Sequence, residues 1–152
     1  MNNFIPKNIK KKYVKYHRAH LFSKITKFTD YPHVRAGVLA LKILNFGFLF
    51  PKQLRAVFFT LKKLLKKKGI IYLYKTALGS FSKKPTGARM GKGKGKNVSS
   101  WVYKVCAGFI LCEIHTKFLK LAIIALRLAK KKLPLNSKII FCKNYKYYVA
   151  TK

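Results

Sequence analysis

Residues 83–97 read K-K-P-T-G-A-R-M-G-K-G-K-G-K-N, and the rest of the chain is organised around this stretch. It holds four of the nine glycines, which alternate with lysines in its second half. Glycine allows positive φ and a close backbone approach, so the stretch predicts a loop and excludes a regular helix or strand. Backbone N–H and ammonium groups along one loop suit a dense array of phosphates. The alternative is a flexible basic hairpin tip or linker whose lysines are only solvated.

The stretch matches neither of two common phosphate-binding loops. A Walker loop requires G-x-x-x-x-G-K-[ST], and no serine or threonine follows Lys92, Lys94 or Lys96. The dinucleotide fingerprint requires G-x-G-x-x-G, and Lys96 stands where the third glycine after Gly91 and Gly93 belongs. The loop is therefore not predicted to hold a nucleotide cofactor.

The charge of the chain is equally unusual. Its 152 residues carry 35 lysines and arginines against 2 acidic residues, a formal net charge of +33, yet 50% of them are hydrophobic. Such a charge repels itself unless a polyanion screens it, while the apolar half suffices for one folded core. This combination favours a folded protein inside a nucleic-acid assembly. The competing class is a basic amphipathic protein acting at membranes or on generic polyanions, although no apolar run reaches the roughly 18 residues of a membrane span.

The sequence offers little material for catalysis. Asp30 and Glu113 are the only carboxylates, so paired acids are excluded, and Glu113 is expected to pair with a lysine. Cys112 and His115 could form a nucleophile, but a packed cysteine and a histidine at a strand end are the preferred interpretation. The three cysteines lack C-x-x-C spacing, which favours a reducing compartment. We expect no enzyme, no metal and no cofactor.

Hydrophobic periodicity predicts two amphipathic helices. The first begins at Pro51, has a basic outer face that includes Phe59, and is capped by Gly69. The second spans 117–132 and is stopped by Pro134. Their predicted apolar faces are Leu54, Val57, Phe58, Leu61, Leu64 and Leu65 in the first, and Phe118, Leu121, Ala122, Ala125 and Ala129 in the second.

Short apolar and β-branched runs predict the strands. One or two lie within 37–50, with a bend near 45–47, and others span 70–76 and 138–143. Residues 101–105 and 109–115 are predicted to pair as a hairpin turned at Ala107-Gly108. The chain then divides into a basic arm (1–35), a domain (36–143) with the loop 83–97 inserted, and a basic tyrosine-rich tail (144–152). We expect the arm to become ordered on RNA, with a disordered tail as the alternative.

Collinear motifs resemble the bacterial and organellar large-subunit ribosomal protein L-sixteen family. The signature K-P-T-G-A-R-M-G-K-G-K-G (Lys84 to Gly95) is followed by Trp101-Val102, Gly108-x-x-Leu111-x-Glu113 and A-L-R-L-A-K-K-K-L-P (Ala125 to Pro134). Upstream positions that match are Gly37, Leu41, Lys42, Gly47, Gln53, Lys68-Gly69-x-Ile71 and Lys15-Tyr16-His17-Arg18. The resemblance covers about residues 6–143.

The resemblance implies a single compact α+β domain of the α/β hammerhead type, with a mixed-sheet or barrel-like core and two main amphipathic helices. It implies a structural role on large-subunit rRNA near the peptidyl-transferase centre and the A-site cleft. The loop and the arm would point towards tRNA, in the region of its acceptor arm, and neighbouring ribosomal proteins would be further partners, with no membrane. Arg89 corresponds to a loop arginine that is hydroxylated in some bacteria.

The chain departs from the family pattern at several points. It has Phe46 and Phe48 around Gly47, where arginines are usual. It opens the second helix with Lys117 and Lys120, where acidic residues are usual. Individual rRNA contacts are therefore expected to differ from those of the family.

Two groups of residues are assigned to RNA on these grounds. The group expected to bind rRNA is basic or ring-bearing and comprises Lys7, Lys10, Lys11, Lys12, Lys15, His17, Arg18, Lys42, Lys83, Lys84, Lys92, Lys94 and Lys96. The group expected to lie near tRNA comprises Arg89, Met90, Gly91, Gly93 and Gly95. Lysines outnumber arginines 30 to 5, a bias typical of AT-rich genomes. This favours a protein made in the mitochondrial matrix for the mitochondrial ribosome, with a plastid-type organelle as the second choice.

Overall fold

The computed structural model describes residues 15–16, 34–74, 78–91, 93 and 98–142. The strands within these ranges are β1 (Lys15–Tyr16), β2 (Leu39–Ile43), β3 (Gly47–Leu49), β4 (Ile70–Leu73), β5 (Leu78–Ser82), β6 (Val98–Val105), β7 (Ile110–His115) and β8 (Ser137–Phe141). The helices are α1 (Pro51–Leu65) and α2 (Leu119–Lys130). The predicted α+β class is confirmed, and so is the bend between β2 and β3.

The strands form two four-stranded sheets. The loop sheet has the order β1-β5-β6-β3, and residues 83–97 leave it at the end of β5. The helix sheet has the order β4-β7-β2-β8, and α2 packs against β2 and β8. Only β1 and β5 run parallel, and the other described pairs are antiparallel.

The core lies where the two helices meet the sheets. α1 buries Leu54, Val57, Leu61 and Leu65, which recur at helical spacing on one face. Each such leucine contributes about 1.5–3 kcal/mol of burial, and its truncation to alanine costs about 2–5 kcal/mol. α2 meets α1 with alanines at 122, 125 and 129, all fully buried, because small side chains let two helices approach closely.

The predicted C-terminal cap of α1 at Gly69 is wrong. The helix ends four residues earlier, and Lys66 takes the positive φ of 48° at its end, with its N–H donating to the Lys62 carbonyl over 2.9 Å. Gly69 has a different reason to be glycine. An added Cβ there would lie 3.0 Å from Thr116 Cβ and 3.1 Å from the His115 carbonyl oxygen. Gly69 therefore permits close packing at the start of β4.

The predicted hairpin of 101–105 with 109–115 is also wrong. Gly108 does form the turn, with φ 90°. However, β6 pairs with β3 and β5, whereas β7 pairs with β2 and β4. The end of β2 is hydrogen-bonded to this turn. The Gly108 N–H donates to the Ile43 carbonyl over 2.7 Å, and the Ile43 N–H donates to the Phe109 carbonyl over 2.8 Å. The turn thus carries the chain from one sheet to the other.

The start of α2 differs from the prediction in one side chain. Phe118, assigned to the apolar face, is 52% exposed, and the Lys68 ammonium lies 5.3 Å from the centroid of its ring. Phe118 precedes the first helical turn, so the helical spacing of the buried face does not extend to it. Leu126 was not part of the predicted apolar face, but it is fully buried.

Candidate nucleic-acid interface

The glycines of the loop are needed for its backbone path. Gly87, Gly91 and Gly93 have φ values of 86°, 100° and 67°, and an added Cβ at any of them would meet nothing within 4 Å. A side chain would therefore fit in space but would be strained at each position by the backbone conformation. The Ala88 N–H donates to the Pro85 carbonyl over 3.3 Å and closes a turn at the start of the loop.

The tip of the loop presents Arg89 and Met90. Both are exposed, and Met90 is as open as in an extended chain, at 101%. The Lys84 ammonium donates to the Gly91 carbonyl and bridges the two sides of the loop beneath this tip. Lys84, predicted to bind rRNA, therefore also holds the loop closed, whereas Lys83 is exposed.

The arm meets the loop at its base. Lys15 and Tyr16 form β1, which pairs in parallel with β5 so that Lys15 stands opposite Ser80 and Tyr16 opposite Phe81. Because the pairing is parallel, the C-terminal ends of β1 and β5 lie at the same end of the sheet, where the loop begins. The described part of the arm and the loop thus share one end of the loop sheet.

The remaining predicted site residues divide into two sets. Lys42 lies in β2 of the helix sheet, directly opposite Lys138 of β8. Like charges at directly opposed positions repel each other, so this pair gains from an anion between them. Outside the described residues lie Lys7, Lys10, Lys11, Lys12, His17, Arg18, Lys92, Lys94, Gly95 and Lys96.

The outer face of α1 adds a basic surface. Lys52, Arg55, Lys62 and Lys63 are exposed along it, opposite the buried leucines. Phe59 lies on the same outer surface and is 58% exposed, as predicted. A single exposed ring is common on protein surfaces, so Phe59 alone does not identify a partner of this surface.

A groove that sequence reasoning did not identify lies between the loop sheet and the segment that follows α2. Its volume is about 500 Å³, and four phenylalanine rings contribute to its lining. The lining residues are Phe46, Gly47, Phe48, Phe50, Gln53, Phe81, Val102, Pro134 and Leu135. The signal in the sequence is the alternation of phenylalanines at 46, 48 and 50, which the two-residue period of a strand places on one face.

The rings of this aromatic groove contact one another. The Phe46 and Phe48 ring centroids lie 5.6 Å apart with a 76° angle between ring planes, and those of Phe48 and Phe81 lie 6.3 Å apart at 62°. An added Cβ at Gly47 would come within 2.4 Å of Leu135 Cδ2, so a larger residue there would displace the Leu135 side chain that also lines the groove. Phe50 is 40% exposed, and its N–H donates to Gln53 Oε1 over 2.9 Å at the start of α1.

The buried carboxylate of Glu113 holds the backbone of the segment that leads into β2. It is 1% exposed, and its carboxylate accepts hydrogen bonds from the backbone N–H groups of Arg35, Ala36 and Gly37 over 2.8–3.2 Å. Among the described residues no lysine pairs with it, in contrast to the expectation. Burial raises the pKa of the Tyr74 hydroxyl, and the charge of Glu113 and a hydrogen bond to it raise that pKa further.

Cys112 is the packed cysteine that was expected. It is fully buried in β7, and desolvation raises the pKa of its thiol from 9.0 to about 12. A nucleophilic cysteine needs a lowered pKa and access, so Cys112 is unsuited to attack a substrate. In the described part of the chain no cluster of three or more His, Cys, Asp or Glu side chains could hold a metal ion. Nor do the helices there include one that is long and apolar enough to span a membrane.

Comparison with known proteins identifies the family. The model of the family described as "Ribosomal protein L16p/L10e" matches residues 9–140. The "Large ribosomal subunit protein uL16c" of Euglena longa is 34% identical over 132 residues, which cover 87% of this chain and 95% of that protein. The "Large ribosomal subunit protein uL16" of Akkermansia muciniphila is 33% identical over 130 residues, which cover 86% of this chain and 92% of that protein.

The family match at residues 9–140 includes β1 to β7, both helices, the glycine–lysine loop and all of β8 except its last residue. The chain belongs to the ribosomal protein L16p/L10e family.

Proposed function

We propose that this protein is a structural constituent of the large ribosomal subunit of an organelle, where it binds rRNA and helps to position tRNA. The observation that carries the proposal is the exposed glycine–lysine loop, set at one end of a sheet beside β1 of the arm. Membership of a ribosomal protein family and two relatives named as large-subunit proteins support it.

The lysines of the loop and the arginine at its tip are proposed to have different roles. Lysines at 83, 92, 94 and 96 bind rRNA phosphates as point charges, since an ammonium carries no sequence readout. Arg89 is the one residue of 83–97 with a planar guanidinium, which can pair with a phosphate or stack on a base. Its exposed place at the tip, beside Met90, supports a contact with tRNA near the peptidyl-transferase centre.

The organelle is proposed to be the mitochondrion, with a plastid-type organelle second. The support is the excess of lysine over arginine, 30 to 5, which follows AT-rich codon usage. The Euglena longa relative, a large-subunit ribosomal protein by name, supports a ribosomal role and does not favour the mitochondrion over a plastid-type organelle.

Sedimentation tests the proposal. Organelle lysate is separated on a density gradient in moderate salt, and the protein is expected with the large subunit. In a parallel flotation assay with anionic vesicles, it is expected to stay with ribosomes. Recovery on the vesicles and absence from subunits would instead establish the membrane-binding alternative that the basic face of α1 and Phe59 favour.

A further inference from the structure

The aromatic groove has the chemistry of a site for an unpaired base. Phe48 and Phe81 lie on one face of the loop sheet, where Phe48 stands opposite Lys104 and Phe81 opposite Ser100. Val102, which is 1% exposed, lies on the same face and lines the groove, whereas Tyr103 and Val105 lie on the opposite face and belong to the main hydrophobic core. Phe48 and Phe81 are only partly buried, and the space of about 500 Å³ that they line is also lined by the exposed residues Phe50 and Pro134.

The aromatic groove is lined by uncharged residues but has lysines as neighbours. Among the described residues that line it, none is charged, although the chain carries 35 lysines and arginines. Cations stand beside it: Lys104 is the cross-strand neighbour of Phe48, and Lys52 lies between the lining residues Phe50 and Gln53 in sequence. An uncharged aromatic slot next to cations complements a nucleotide, whose base is flat and apolar and whose phosphate is negative.

We propose that the aromatic groove binds an unpaired RNA base, stacked on the Phe48 and Phe50 rings, while Lys104 and Lys52 contact the adjoining phosphates. This proposal rests on the proposed rRNA-binding function and adds a binding site to it. An apolar protein segment is the other occupant of suitable shape. It is disfavoured because it would cover the exposed Lys52 ammonium without offering it a negative charge.

The direct test compares two probes on the full-length chain: a short oligouridylate, and the same ribose–phosphate backbone without bases. Phe50→Ala is expected to weaken oligouridylate binding by about 5- to 100-fold, the range for loss of one base–aromatic stack. It is expected to leave the salt dependence of binding and the affinity for the baseless backbone unchanged, because stacking involves no ion release.

Matched variants separate stacking from other effects. Phe50→Trp is expected to retain the affinity, whereas Phe50→Leu, which keeps apolar contact but has no ring, is expected to lose as much as Phe50→Ala. Phe59→Ala removes another exposed phenylalanine, 58% exposed on α1 and outside the groove lining, and is expected to change nothing base-specific. Phe50 is itself 40% exposed and its cap hydrogen bond uses the backbone, so its variants are expected to fold.

A photo-crosslinking residue at position 50 tests the occupant in assembled subunits. Crosslinks to a single-stranded rRNA nucleotide are expected. Crosslinks to another protein, or equal binding of the two probes by the wild-type chain and all Phe50 variants, would overturn the base site while leaving rRNA binding intact. Failure of the chain to bind either probe and to enter subunits would overturn the proposed function itself.

Discussion

Gly37 and Glu113 are joined by a hydrogen bond that only a glycine at position 37 leaves room for. The Gly37 N–H donates to Glu113 Oε2 over 2.9 Å, and an added Cβ on Gly37 would lie only 2.8 Å from Glu113 Cβ. The carboxylate therefore needs the glycine for access, and the glycine N–H needs the carboxylate for a partner. Through this contact the segment entering β2 is fixed to β7, in the middle of the helix sheet.

Removal of the carboxylate is expected to destabilise the fold strongly. Glu113→Ala leaves the N–H groups of Arg35, Ala36 and Gly37 without their acceptor, and of these the Gly37 N–H is buried, where a donor without a partner costs about 1–3 kcal/mol. The expected loss is about 1–3 kcal/mol in the free energy of unfolding, measured by denaturant titration followed by circular dichroism. Gly37→Ala is expected to act in the same direction through the steric clash.

Two controls accompany this measurement. Glu113→Gln keeps one oxygen that can accept from Ala36 and Gly37, so its loss is expected to be smaller than that of Glu113→Ala. Lys138→Ala changes an exposed residue of the same sheet and is expected to alter stability by less than about 0.5 kcal/mol. Equal stability of Glu113→Ala and the wild type would show that the N–H groups find other partners.

The stability of the protein is expected to fall in alkali. Burial raises the pKa of the Cys112 thiol from 9.0 to about 12, and that of Tyr103 is also raised by burial. The folded protein therefore keeps protons that the unfolded chain releases. The contribution of these protonated groups to the free energy of unfolding is fully present below about pH 9 and is lost as the pH rises towards 12. Thermal unfolding midpoints across this range measure it.

Cys112→Ala tests which group is responsible. This variant lacks the thiol, so its stability is expected to decline less between pH 9 and 12 than that of the wild type. A thiol reagent at pH 8 is expected to spare Cys112 in the folded protein and to label it after unfolding. Rapid labelling of Cys112 in the folded protein would contradict its buried, protonated state.

Arg89 is expected to act on tRNA handling more than on assembly. Arg89→Ala removes an exposed tip side chain without disturbing the bond from Lys84 to Gly91 at the base of the loop. Subunits are expected to contain this variant at normal level and to form peptide bonds slowly. The quantities to measure are the protein content of purified subunits, the rate of peptide-bond formation and tRNA occupancy.

The matched variant is Lys92→Ala combined with Lys94→Ala, which is expected to reduce incorporation instead. If Arg89→Ala subunits lack the protein, or contain it and work at full rate with normal tRNA occupancy, the division of roles within the loop is wrong.

Binding to rRNA is expected to be mainly electrostatic. If the arm and the loop neutralise about six phosphates, the slope of log affinity against log salt is near −5 on duplex-like RNA. Filter binding of the full-length chain to its rRNA fragment at several salt concentrations measures the slope. Substitution of Lys10, Lys11 and Lys12 by alanine is expected to reduce the magnitude of this slope by up to about three. A slope near zero in the wild type would be incompatible with phosphate binding.

Periodic elements could be predicted from sequence, and contacts between distant segments could not. Pro51 and the leucines after it identify α1, because helix start and helical spacing are local properties. The error at Gly69 arose because a glycine required by a neighbour, Thr116, is indistinguishable in sequence from one required by a helix end. The error at Gly108 is similar, since a turn in sequence does not reveal that β6 and β7 enter different sheets.

The candidate site shows the same division. The loop glycines signalled positive φ, and three of them have it, at positions 87, 91 and 93. The aromatic groove depends on Phe81 and Pro134, which lie far from Phe48 in the chain and come to it only through the fold. The acceptor role of Glu113 was equally hidden, because no side-chain pattern marks its backbone donors at residues 35–37, and the Tyr74 hydroxyl that also bonds to it lies far away in sequence.

The pairing of β1 with β5 has a consequence for the protein before it reaches a ribosome. An open strand edge is a template on which another chain can add, and the charge of this chain alone does not cap its backbone groups. β1 occupies that edge of β5 at Ser80 and Phe81. β1 thereby becomes the outermost strand of this sheet, and as a strand of only two residues it offers an added chain little to pair with. The short segment that brings the arm to the loop thus also limits edge-to-edge association of the newly made protein.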